Sequence, residues 1–195
     1  MPWTFYNSSG EAMIIDGGVQ NPMDANLDIS TLLIVGNGGS TGIAISAAGE
    51  VTMAAQPAVA VSANAQTNVT GNSTDYTVLW ANEIFDQNAD FASPTFTAPI
   101  TGRYLVTVFV GTQGITTAAN ARYINLICSN RTYQRVVADI PSGISGGSET
   151  MDIAILADMD ASDTASIQIR ASGESSDVVD VAGGQRTHMS IVLVV

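Results

Sequence analysis

The sequence has no lysine, one cysteine and one histidine among its 195 residues, and each scarcity closes off some chemistry. All the cations are arginines: Arg103, Arg122, Arg131, Arg135, Arg170 and Arg186. Without lysine there is no Schiff-base nucleophile and no Walker-type phosphate loop. Six cations against 18 carboxylates leave a net charge of -12, so the clustered positive charge needed to bind DNA or RNA is missing. The same balance opposes docking on an anionic membrane. A lone Cys128 excludes a disulfide within the chain. Its setting, Ile124-Asn125-Leu126-Ile127-Cys128, suits a small buried side chain better than a nucleophile. No apolar run reaches the roughly 18 residues of a membrane span. The stretch Met1-Pro2-Trp3-Thr4 shows no basic region leading into an apolar one, so no secretory signal is expected. Charged residues make up only 12% of the chain, about half the usual share. The surface must therefore be covered by Ser, Thr, Asn, Gln, Gly and Ala. That suits a β-rich protein buried against partners or built into a rugged particle.

What is present divides near Gln56-Pro57. Residues 1–56 are rich in Gly, Asn, Ser and Asp. Short strands are predicted at 30–35 and 42–46, separated by the turn Gly36-Asn37-Gly38-Gly39-Ser40, and at 51–53 after Gly49-Glu50. A few short strands cannot bury both faces alone. This segment is expected to lean on other copies of itself, on the main domain or on a docking partner. Its aromatics Trp3, Phe5 and Tyr6 are the candidate attachment anchors, because aromatic side chains concentrate interface energy. Residues 57–195 read as an all-β domain. Alternation and β-branched content predict strands at 59–62, 75–80, 103–111, 122–128, 133–138, 149–156, 165–171 and 187–195. Between them lie a tight hairpin at Ser129-Asn130, a longer loop from Pro141-Ser142-Gly143 to Gly147-Ser148, a polar turn at 158–163 and Ala182-Gly183-Gly184. About eight strands at this spacing match a jelly-roll sandwich, and no segment has helical periodicity.

The order Trp80, Asp86, Phe91, Phe96, Gly102, Tyr104, followed by an alternating strand through Val106, Val108 and Val110, resembles the C1q and tumour-necrosis-factor-like jelly roll. The closing run from Thr187 to Val194 is similar to that family's final central strand. Trp80 stands where the family usually has Phe, the gap from Phe91 to Phe96 is short, and Val106 and Val108 replace aromatics. No collagen-like repeat is present. The resemblance implies an all-β homotrimer packed around a threefold axis. Its expected core and trimer residues are Trp80, Phe91, Phe96, Tyr104, Ile191 and Leu193. A second likeness concerns the lysine-free, polar, uncharged composition and the stretch from Ile34 to Ile43. Both are similar to bacteriophage virion proteins in which a short N-terminal segment precedes a jelly roll.

Candidate chemistry is sparse. A Ser–His–acid triad would have to use His188, which lies in a predicted central strand where a packed or interface role is the simpler reading, and no Gly-x-Ser-x-Gly elbow is present. Asp158, Asp160 and Asp163 offer closely spaced oxygen ligands, and C1q-like trimers sometimes bind Ca²⁺. The spacing is not that of an EF-hand, so calcium is the one cofactor considered and none is expected. Asp86 and Asp90 flank Phe91 as a carboxylate pair or, more simply, as turn caps. Glu174, Asp177 and Asp180 look like a solvated loop. Asn7, Asn68 and Asn72 begin matches to glycosylation acceptors that read as chance in so Asn/Ser/Thr-rich a chain. Tyr76, Tyr123, Tyr133 and Trp80 could stack on sugars, although cross-strand packing accounts for each.

The combined expectation is a non-enzymatic phage virion protein. Residues 1–56 would be the attachment or intertwining segment and 57–195 the C1q-like jelly roll. The trimer would decorate and cement a capsid by bridging subunits of the major capsid protein or other virion proteins, after assembly in the host cytoplasm. The alternative is the receptor-binding head of a tail or head fibre that recognises host-surface glycans.

Overall fold

A computed structural model describes residues 48–137 and 147–195, together with four strands that precede them. The chain forms two compact units, Met1–Thr52 and Met53–Val195. In the first, β1 (Phe5–Tyr6) pairs antiparallel with β2 (Ala12–Met13). A three-stranded sheet runs β3 (Ile34–Val35), β4 (Gly42–Ile45) and β5 (Val51–Met53). The turn expected at 36–40 lies outside the described residues, as do residues 141–146 of the long loop. Gly147 and Ser148, expected in that loop, begin a strand instead.

The second unit is a sandwich of two antiparallel sheets. Its spine is β12 (Gly102–Ile115), fourteen residues long. Along one edge β12 pairs with β15 (Gly147–Met159) from Gly102↔Met159 to Ile115↔Gly147. Its other edge is shared. The first half carries β18 (Thr187–Leu193), then β6 (Ala58–Ser62) and β9 (Asn82–Asp86). The second half carries β17 (Val179–Val181) and then β7 (Gln66–Thr70). These strands make a seven-stranded sheet. Opposite it lies a six-stranded sheet in the order β10 (Phe91–Ala92), β11 (Thr95–Thr97), β16 (Thr164–Ser172), β13 (Ala121–Cys128), β14 (Thr132–Val136), with β8 (Asp75–Thr77) also on β16.

Strand periodicity of two explains the core. Tyr104, Val106, Val108 and Val110 of β12 are fully buried, as are Val59 and Val61 of β6 and Met189 and Ile191 of β18. From the other sheet come Phe96, Ile124, Leu126, Ile167 and Ile169. Phe96 meets the Tyr104 ring edge-on at 5.5 Å, and the Tyr104 hydroxyl donates to the Ile100 carbonyl at 2.7 Å. One aromatic thus joins the sheets and pins the turn that feeds β12. Gly102 has a steric reason. A Cβ there would lie 2.6 Å from Leu193 Cδ1 and 2.7 Å from the Val195 carbonyl oxygen. The two-residue hairpin at Ser129-Asn130 forms as expected, with reciprocal backbone bonds between Cys128 and Arg131.

The solvated loop expected around Glu174, Asp177 and Asp180 is corrected. Glu174 is buried and accepts from the Thr116 amide and hydroxyl, both at 2.8 Å. Asp180 sits in β17 and accepts from the Asn68 amide at 2.7 Å. Asp177 accepts from the Asn72 amide and the Thr74 hydroxyl. These carboxylates tie loops together, each through a residue distant in sequence.

Candidate interaction face

A two-layer sandwich needs only one face of each sheet to be apolar, and antiparallel sheets commonly turn a polar face to water. The seven-stranded sheet does so only in part. Its spine reads Leu105-Val106-Thr107-Val108-Phe109-Val110, apolar at all but Thr107, so large apolar side chains stand on the outward side as well as the inward one. Cross-strand register assembles that outward set into rows. Leu156, Leu105, Val192 and Ala58 form one row across β15, β12, β18 and β6. Ala154, Thr107, Ser190, Ala60 and Phe85 form the next, reaching β9. Asp152, Phe109, His188, Ser62 and Asn82 form the third. Leu105 is 40% exposed, Leu156 52% and Phe85 50%. Phe109 and His188 stack with ring centroids 4.9 Å apart. An ion pair of Arg135 with Asp152 borders this end of the face, and Arg135 Nη1 also donates to the Asp152 carbonyl at 2.8 Å. Leu105, Leu156, Val192 and Phe85 thus give this face exposed apolar side chains that the sandwich core does not use.

The residues singled out from the sequence fall in different places. Trp80, Phe96, Tyr104, Ile191 and Leu193 point into the sandwich, and Phe91 packs partly buried against the same core. Within the last strand it is Val192, not Ile191 or Leu193, that faces outward, because alternation puts neighbours on opposite faces. Trp3 lies outside the described residues, and Phe5 and Tyr6 are described only as backbone paired with Met13 and Ala12. Asp163 accepts from the Asp160 amide and from Asn130 Nδ2, both at 2.9 Å, while Asp158 faces Arg131 at 3.9 Å. This turn is held by its own side chains and by the neighbouring hairpin at Asn130 and Arg131, and among the described residues no three His, Cys, Asp or Glu side chains group to hold a metal. Among the described residues no hydrogen bond joins His188 to a serine or a carboxylate, so the triad geometry does not form there. Asp86 accepts from the amides of Asp90 and Phe91 as a turn cap, and desolvation with help from Asp86 raises the Asp90 carboxyl. Burial pushes the Cys128 thiol up to about 11, with Asp163 adding to the rise and Arg131 opposing it. Of the four aromatics considered for sugar stacking, Trp80 is core, and Tyr76 and Tyr133 pack against it. Tyr123 alone turns outward, on the other sheet.

No family model matches the sequence, and none of the curated proteins does. Solved structures do. The globular domain of zebrafish complement 1qA matches with a TM-score of 0.51 at 16% identity, covering 72% of this chain and 98% of that one. Murine APRIL matches with a TM-score of 0.46 at 11% identity, covering 71% of this chain and 99% of that one. The first likeness shows the fold: the sandwich is a C1q-like jelly roll.

Proposed function

We propose that this chain is a non-enzymatic, homotrimeric attachment protein whose subunits meet through the outer face of the seven-stranded sheet. The observation that carries the reading is the apolar set Leu105, Phe109, Leu156, Val192 and Phe85, left open on a single subunit. In a closed ring each copy would use this face against a neighbour, removing that surface from water three times over. In its specific form the reading is a bacteriophage capsid decoration protein. The jelly-roll trimer stabilises the shell by bridging capsid subunits, and residues 1–56 supply the attachment, multiplied by avidity. The low charge, the absence of lysine and the Gly/Asn-rich N-terminal segment support it. In solution the protein is expected at three times its 20.2 kDa chain mass. Deleting residues 1–10 should abolish coating of the capsid while the trimer persists. A monomeric wild type would remove the trimer, and truncated trimers that still coat the capsid would remove the attachment role. A second reading, the receptor-binding head of a fibre, is favoured by the polar character of the other outer face. Immunogold label spread over the shell supports decoration; label confined to a tail or vertex supports the fibre.

A further inference from the structure

The outer face of the six-stranded sheet carries a separate feature. Register sets Asp75, Arg170 and Tyr123 in one row across β8, β16 and β13. The adjoining outward row holds Gln168, Asn125 and Gln134 across β16, β13 and β14. Together these side chains line an open concavity of about 370 Å³. Its lining is polar, unlike the mostly apolar walls of pockets for drug-like molecules.

Two observations say what would fill it. Asn125 is only 7% exposed although it lies on the outward side of β13, and its Oδ1 is buried with no hydrogen-bond partner. Arg170 Nε is buried and likewise without a partner. Buried polar atoms are nearly always paired, so an acceptor and a donor left open in one concavity call for a group that can serve both. A hydroxyl donates and accepts at once, which a carboxylate or an ammonium cannot. Turning the Asn125 amide over exchanges acceptor for donor and leaves a hydroxyl equally suitable. Charge narrows the choice further. Asp75 sits 3.8 Å from Arg170 Nη1 and offsets the only cation lining the concavity, on a chain of net charge -12. A phosphate or sulfate would find no net attraction there. Three planar amides side by side, with the flat ring of Tyr123 on the wall, suit a ring bearing hydroxyls on its edge and C–H groups on its faces.

We infer that this concavity is a binding site for a neutral pyranose sugar. Asn125 and Arg170 take the innermost hydroxyl, Gln134 and Gln168 take the outer ones, and Tyr123 stacks against the ring. The site lies within one subunit and stands whether or not the trimer or the virion role holds.

The test uses the full chain labelled with ¹⁵N. It is titrated with D-glucose, D-galactose, D-mannose and N-acetyl-D-glucosamine, and with N-acetylneuraminic acid as the anionic probe. At least one neutral sugar is expected to move the side-chain amide signals of Asn125, Gln134 and Gln168. Gln134→Ala, at an exposed position, and Tyr123→Ala should each weaken that binding about tenfold or more. Gln134→Ala should also keep the wild-type melting temperature, so its loss of binding cannot be laid to unfolding. Signals unmoved by all four neutral sugars would mean that water alone fills the concavity, and the inference fails. It fails equally if both variants bind as wild type does, or if only the anionic sugar binds.

Discussion

The two outer faces of the sandwich share a backbone plan and differ in almost every outward side chain. On the seven-stranded sheet the outward positions of β12 and its neighbours include Leu105, Phe109, Leu156 and Val192, with Thr107, Ser190 and His188 between them. On the six-stranded sheet the corresponding positions of β13 and its neighbours are Tyr123, Asn125, Gln168 and Arg170. The inward positions are alike on both: Val106, Val108 and Ile191 meet Ile124, Leu126 and Ile167. The inward residues therefore specify the sandwich, and the outward ones divide its labour. On the reading proposed above, one sheet is covered by protein and the other meets a small polar ligand from water.

The largest effect is expected where the two sheets are joined. Arg122, 2% exposed, reaches from β13 to an ion pair with Glu149 of β15, and desolvation lowers its pKa. Glu149→Leu would leave a buried guanidinium without its counter-charge, at a cost of about 3–5 kcal/mol. The double change Arg122→Met with Glu149→Leu should recover most of that loss. Chemical denaturation of the two variants beside wild type checks this, and a single variant as stable as wild type would show that the pair does not join the sheets in solution. Next comes a charge placed on each outer face. Leu105→Asp should weaken self-association by at least about 2 kcal/mol, as truncation of a central interface anchor does. Gln134→Asp should leave the oligomeric mass unchanged. Sedimentation of the pair separates the faces, and equal behaviour would dissolve the distinction between them.

This division was only half legible in the sequence. β12 and β18 announce themselves by alternation, and the run from Leu105 to Val110 also shows that its second face is apolar. β7, β9 and β17 escape such a reading. Gln66–Thr70 is mostly polar, Asn82–Asp86 is exposed at four of its five positions, and Val179–Val181 is too short to alternate visibly. Glu174 looks solvated because its partner, Thr116, is 58 residues away. The amide row is hidden for the same reason. Asn125 interrupts an apolar run, but only strand pairing brings Gln134 and Gln168 beside it.

A smaller effect concerns the interior both faces share. Cys128 is 5% exposed, and burial holds its thiol at about 11. At about pH 8.5 it should resist alkylation in the native protein and react promptly once unfolded. The native state keeps the proton more tightly than the unfolded chain, so this group's contribution to stability declines as pH rises above the ordinary thiol value of 9.0 towards 11. Rapid native labelling would mean that the sandwich opens at β13.

The smallest effect lies on the rim. Asp177 is half-buried and accepts from the Thr74 hydroxyl at 2.7 Å and the Asn72 amide at 3.0 Å. The Thr74 bond first, and the Asn72 bond second, hold its carboxyl below the usual 3.8. A folded-state value below the unfolded one gives stability that is present above the unfolded pKa and lost as pH falls through the folded one. Asp177→Asn should therefore flatten the acid limb of the stability curve slightly while changing neither oligomeric mass nor the amide signals of the concavity. Direct titration of the Asp177 carboxyl by NMR decides the matter. A midpoint at or above 3.8 would mean that the loop from Asn72 to Thr74 is not clipped in solution. If the acid limb flattens and the mass falls as well, the rim and the apolar face are coupled, and the separation of roles between the two sheets is less complete than their side chains imply.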